Sequence, residues 1–208
     1  MSTNSAECMF AIDLINFVME CRKIDWKFHE YFLKNIQSTP FTPMIRNFVS
    51  DYLEYDETNI YFVFARMSKG SNVDSDMFQW IVEYLRTIIF TSVNTVSEAI
   101  RYCIVIAQFS LLAYQTGAHL APYVALKEIQ EAMKTFISDK EESSSIFWAS
   151  LDSQVSKLRV IHTFYTPFCS HKTHPMSKNL PKLSITLKEQ KRAVSVSTSP
   201  STKTSTEG

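Results

Sequence analysis

Between Thr95 and Gly117 the chain reads TVSEAIRYCIVIAQFSLLAYQTG, and no other stretch limits the fold so strongly. Apolar residues run from Cys103 to Ala113 with only Gln108 and Ser110 between them. Thr95 and Glu98 have the spacing of a capping box, in which hydroxyl and carboxylate satisfy backbone N–H groups at a helix start. Gly117 offers the left-handed residue that closes a helix. Apolar side chains point in every direction between these marks, so the helix has no polar face for water. Such a helix is either the core of an all-helical domain or a membrane span. The apolar run from Tyr102 to Tyr114 falls short of the ~20 residues a bilayer needs. The expected architecture is therefore an all-α bundle in which this helix is central and wrapped by amphipathic ones.

The flanking sequence supplies those helices. In residues 10–22 the apolar positions recur at helical spacing, with Ser5 or Asn4 as N-cap. Trp26, Phe28, Tyr31, Phe32, Leu33 and Ile36 continue the apolar signal until Pro40 and Pro43 break it. Thr42 before Pro43 fits an N-cap followed by proline at the first helical position. Periodicity returns over 44–67, with the polar stretch 54–59 expected to interrupt it. Asp74 or Ser75 caps a helix over 77–90, and Pro122 opens one over 123–138. A final short helix begins at Ile146 and is expected to reach Thr163. The bundle is placed at residues 1–168.

Charge divides the chain unevenly. Lys and Arg number 21, as do Asp and Glu, yet residues 171–208 hold seven basic and two acidic groups, a formal +5. Ser and Thr make up 13 of those 38 residues, so 169–208 is expected to be a solvated, disordered tail. The rest carries a formal −5, and its aromatics follow core spacing rather than alternating with Lys and Arg, which disfavours a nucleic-acid binder. The three Gly exclude phosphate-cradling glycine loops. Cys8, Cys21, Cys103 and Cys169 show no paired spacing, and the opening MSTNSAEC lacks basic residues ahead of an apolar run. A reducing, cytoplasmic setting is expected.

No Ser or Cys has a base at a recognisable spacing, so no catalysis is expected. Cys169, His171 and His174 have a loose metal-like pattern, but beyond the folded region, and no metal or cofactor is expected. Arg101 is unusual because a cation in the first turns of a helix opposes the macrodipole. It either binds a ligand carboxylate or pairs with Glu98 or Glu83 on the surface.

The order of the helices resembles the B-cell-lymphoma-2 family of apoptosis regulators. Ile81-Val82-Glu83-Tyr84-Leu85 is similar to the segment before that family's Asn-Trp-Gly-Arg motif, and Ile106-Ala107-Gln108-Phe109-Ser110 to its later apolar segment. Residues 10–18 followed by Trp26 resemble the N-terminal homology region, 45–52 the third, and 136–140 through Phe147-Trp148 the second. The resemblance covers roughly residues 8–155. Of the Asn-Trp-Gly-Arg motif, Asn94 stands in place while Thr95, Val96 and Ser97 occupy the other positions; Arg101 supplies the guanidinium only if the match slips. Val49 and Ser50 replace the third region's Gly and Asp.

The resemblance implies a hydrophobic groove for amphipathic death-ligand helices of family members. Its residues would be Phe48, Tyr52, Phe78, Ile81, Val82 and Leu85, with Asn94, Ser97 and Arg101 at the rim. It implies an apoptosis regulator, more of the protective type, acting by protein–protein contact and peripheral at mitochondria through its partners. The basic tail adds a weak membrane contact. The bland reading of the apolar stripes is plain core packing. The competing function is a helical-repeat scaffold or adaptor, which would stack helix pairs in a row and leave one face of residues 104–112 exposed.

Overall fold

Side-chain caps set five of the six helix starts in a computed structural model that describes residues 5–28, 39–140 and 143–157. All of these lie within the unit Met1–Thr163. Ser5 opens α1 (Ala6–Cys21), Thr42 opens α2 (Pro43–Met67) and Asp74 opens α3 (Ser75–Ile88). Thr95 opens α4 (Val96–Gln115) and Ser143 opens α6 (Ser144–Val155). Each cap oxygen accepts a backbone N–H three residues on, satisfying a donor that has no partner inside the helix. Only α5 (Ala121–Asp139) starts without a side-chain cap, its first turn being pre-set by Pro122. A single 3-10 turn, Phe90–Ser92, joins α3 to α4. All regular structure among the described residues is helical.

The central helix is where the sequence placed it. The α4 helix packs against each of the other five helices, and every residue from Ala99 to Leu111 is buried. The capping box forms in full: Glu98 N–H donates to Thr95 Oγ1 at 3.2 Å, and Thr95 N–H donates to Glu98 Oε2 at 3.0 Å. At the other end Gly117 sits at φ +110°. There Gly117 N–H donates to the Tyr114 carbonyl and Ala118 N–H to that of Ala113, the two bonds of a left-handed closure. After this turn α5 runs back along α4, so that Lys140 Nζ, just past the end of α5, reaches the Asn94 carbonyl at 2.7 Å. The full helix counts 20 residues, more than its apolar run alone. By length and hydropathy it would be enough to cross a membrane, but most of it is buried within the bundle.

Two contacts close the bundle around α4. Buried Glu7 at the start of α1 accepts from Ser144 Oγ at 2.6 Å and Trp148 Nε1 at 3.2 Å, tying α1 to α6. Burial by itself would raise the Glu7 carboxyl; the hydrogen bonds from Ser144, its own backbone, Trp148 and Ser5 outweigh it and hold it below its ordinary value. Trp148 meanwhile lays its ring 5.3 Å from Phe10 and 5.1 Å from Phe147, so it seals the core.

Two expected boundaries change. The polar stretch 54–59 does not interrupt α2, which runs unbroken for 25 residues. Within it Leu53, Asp56 and Ile60 all point inward and are buried. Asp56 accepts from Tyr52 Oη one turn before it at 3.0 Å and from Asn59 Nδ2 after it at 2.8 Å. A stretch that reads as polar all round thus has an inward side held by its own i,i+3 and i,i+4 bonds. The final helix ends at Val155 instead of Thr163. The tail, the apolar residues Tyr31, Phe32, Leu33 and Ile36, and the Cys169, His171, His174 pattern lie outside the described residues.

Candidate functional site

The α3 helix packs on α4, α5 and the 3-10 turn, while α2 packs on α4 and α6; α2 and α3 make no comparable contact with each other. The α2 and α3 helices are thus separate neighbours of α4, with a seam between them. The expected groove residues fall on its two sides, but they are turned inward. Phe48 is 6% exposed and Tyr52 1%, both on α2. On α3, Phe78 and Ile81 are fully buried, Leu85 is 1% exposed and Val82 3%. Phe48 and Tyr52 stack with ring centroids 6.5 Å apart. In this conformation all six belong to the core, where burial of a large apolar side chain is worth ~1.5–3 kcal/mol.

The three rim residues divide. Asn94 is exposed and occupied locally: its N–H donates to Glu98 Oε2 and its Nδ2 to the Ser92 carbonyl, each at 3.0 Å. Ser97 is half-buried in the first turn of α4. Arg101 is not at the rim; it is 6% exposed, with its guanidinium 5.9 Å from the Tyr52 ring centroid. A cation over an aromatic face is attracted by the ring quadrupole. Arg101 is therefore buried and not at the surface, where pairing with Glu98 or Glu83 was one expectation, although its charge still acts on Glu98.

The charge of Arg101 is felt by two carboxylates, Asp56 and Glu98. Burial pushes Asp56 above its ordinary value, and the Tyr52 hydrogen bond and the Arg101 charge pull it part of the way back. Glu98 moves the other way. Burial raises it, but hydrogen bonds from Asn94 and Thr95, with the Arg101 charge behind them, leave it below its ordinary value. One cation near the start of α4 therefore serves two carboxylates of opposite character.

A second polar group lies on the far side of α4. Tyr102 Oη donates to Glu128 Oε1 of α5 at 2.7 Å, and Arg86 Nε of α3 reaches the same oxygen at 3.3 Å. Burial raises the Glu128 carboxyl despite both partners, and it raises the Tyr102 phenol further. Periodicity does not reveal such a group, because a Tyr and a Glu 26 positions apart give no local signal. Asp56 does leave one: it shares the inward register of Leu53 and Ile60, with Tyr52 and Asn59 at hydrogen-bonding offsets.

Cys8, Cys21 and Cys103 are free thiols, all raised by burial above the ordinary value, so none presents a ready thiolate. Among the described residues no group of three or more His, Cys, Asp or Glu is placed to hold a metal ion. Comparison of the chain with family profiles, with curated proteins and with solved structures gives no match.

Proposed function

We propose that this chain regulates apoptosis without catalysis, by binding the amphipathic helices of death-promoting relatives at the seam between α2 and α3. The observation that carries the reading is the burial of α4, one apolar helix in contact with five others. That is the arrangement the sequence resemblance implies, and it is unlike a helical repeat, in which each pair touches only its neighbours. Of residues 104–112, whose exposure would favour the scaffold, all are buried except Leu112, which is half-buried.

Binding on this reading is an exchange. Arg101, the residue that would meet a ligand carboxylate, already lies against the Tyr52 ring within reach of the Asp56 charge, and the apolar walls are turned into the core. A ligand helix must replace these contacts, so its apparent affinity is reduced by the scarcity of the open state. Micromolar binding is the expectation. The protein would act in the cytoplasm, at mitochondria only through partners, and on the protective side.

The test is titration of the full chain with labelled amphipathic death-ligand peptides. At least one should bind at micromolar concentration, more weakly to Ser97→Tyr, which crowds the rim, and more tightly to Asp56→Asn, which removes the competing charge. If no peptide binds at that concentration, the groove reading fails.

A further inference from the structure

The outer face of α2 breaks two rules of a stable surface at once. Phe62, at 65% exposure, is the most exposed large hydrophobic among the described residues, with Tyr61 beside it at 54% and Tyr55 two turns before Phe62 at 41%. Tyr61 and Phe62 hold their rings edge to face, 6.3 Å apart, in water. Asp51, Tyr55, Thr58 and Phe62 follow one another at intervals of four, three and four residues, which puts them in one line on the helix. Glu54, Thr58 and Tyr61 form the row alongside by the same spacing. The face thus has an acidic end, Asp51 and Glu54, and an aromatic end, Tyr61 and Phe62, with Tyr55 and Thr58 between them.

Asp51 and Glu54 are both exposed, three positions apart, and no Lys or Arg stands three or four positions from either. Among the described residues neither takes part in an ion pair. Glu57, a further three positions on, turns off this face and pairs with Arg22 at the end of α1. The exposed Arg66 lies one turn beyond Phe62, at the far end from the two carboxylates. Like charges one turn apart destabilise a helix, and exposed apolar ring surface gains nothing from water. Both departures fall on one face of one helix, and local rules are broken where a surface is used.

We infer that this face docks a basic amphipathic helix of a partner protein, one carrying Arg and Leu at helical spacing. Apolar residues of that helix would cover Phe62 and Tyr61. Its guanidinium groups would meet Asp51 and Glu54 at the other end. Charge selects this occupant over the alternatives: anionic lipid and nucleic acid are both repelled by the carboxylate end. The aromatic end, Tyr61 and Phe62, stands more than two turns along α2 from Phe48 and Tyr52, which are buried, so docking there is separate from the groove binding proposed above.

The probe is a labelled amphipathic Arg/Leu peptide of about five helical turns, with a Glu/Leu counterpart of the same pattern. The Arg/Leu peptide should bind the full chain at micromolar concentration, and binding should weaken as salt is raised. The Glu/Leu peptide should not bind. Tyr61→Ala with Phe62→Ala should weaken binding about tenfold or more while leaving the unfolding temperature unchanged. Double reversal by D51K and E54K should exchange the preference between the two peptides, since Arg66 then stands with two added cations. Ser97→Tyr should have no effect, which separates this surface from the seam. Absence of binding, or binding indifferent to these α2 substitutions, overturns the inference. Binding of zwitterionic vesicles through Phe62, unaffected by charge reversal, would replace the partner helix with a membrane.

Discussion

The α2 and α4 helices lie against each other, yet they are built on opposite principles. The α4 helix keeps nearly everything it has inside: its apolar ring is buried and its ends are closed by a capping box and a glycine. The α2 helix places a carboxylate, Asp56, in the interior and the rings of Tyr55, Tyr61 and Phe62 outside. Its end is closed by the same pair of backbone bonds, but with Lys69 at φ +54° where α4 has Gly117. Both helices bury polar side chains, Arg101 and Gln108 on α4 and Asp56 on α2, but only α2 also turns several aromatic rings to solvent.

The largest expected difference is in packing. Phe109 on α4 is fully buried and meets the Phe64 ring edge-on at 5.1 Å. Phe109→Ala should cost ~3–5 kcal/mol in denaturant unfolding. Phe62→Ala on α2 removes the same side chain and should change stability by no more than ~0.5 kcal/mol. A cost for Phe62→Ala approaching that for Phe109→Ala would place the outer face of α2 in the core.

Next comes the polar interior beside α4. On α5, which packs along α4, Gln130 is 1% exposed, and neither of its amide atoms has a hydrogen-bond partner among the described residues. An unsatisfied buried polar group costs ~1–3 kcal/mol. Gln130→Met, of similar volume, should therefore raise the unfolding temperature. A fall would show that the amide is satisfied after all.

The two carboxylates near Arg101 sharpen the comparison through pH. Glu98, on α4, is lowered, so its contribution to stability is present above the ordinary carboxylate value of about 4 and is lost as pH falls. Asp56, on α2, is raised, so its contribution is complete below that value and is lost as pH rises through its folded value. The unfolding temperature of Glu98→Gln relative to the parent should fall as pH rises from 3 to 7 (a span of about 4 units around the reference values). That of Asp56→Asn should climb over the same range. Slopes of the same sign would contradict the assignment.

The smallest effects are at the helix ends. An added Cβ at Gly117 would meet nothing within 4 Å, so Gly117→Ala should cost only the backbone strain of a left-handed residue, ~1 kcal/mol. Lys69→Gly should do the reverse, stabilising α2 by up to a similar amount. Thermal unfolding of the pair tests both at once.

What was legible in the sequence follows the same division. The α4 helix could be read to within a residue, because its caps and apolar ring are local signals carried by Thr95, Glu98 and Gly117. The cap of α2 was as plain, and those of α1 and α3 were each narrowed to two residues, of which Ser5 and Asp74 form the caps. The middle of α2 was read wrongly: residues 54–59 look like a break by polarity, although Asp56 keeps the inward register of Leu53 and Ile60. Its inward turn was settled by Tyr52, Asn59 and Arg101, the last of them brought in from another helix. The candidate site was read less well than the fold. Phe48, Tyr52, Phe78, Ile81, Val82 and Leu85 have the spacing of a groove wall and of a core stripe alike, and the structure buries all six. Arg101 was singled out for opposing the helix dipole, but the covering by α2 that buries it is a long-range fact.

Native-state amide hydrogen exchange tests the contrast most directly. Amides of residues 104–111 should exchange only through global unfolding, with free energies equal to that from denaturant titration, whereas those of residues 54–62 on α2 should exchange through smaller, local openings. Exchange in α4 as fast as in α2, or faster, would contradict a bundle organised around a buried α4.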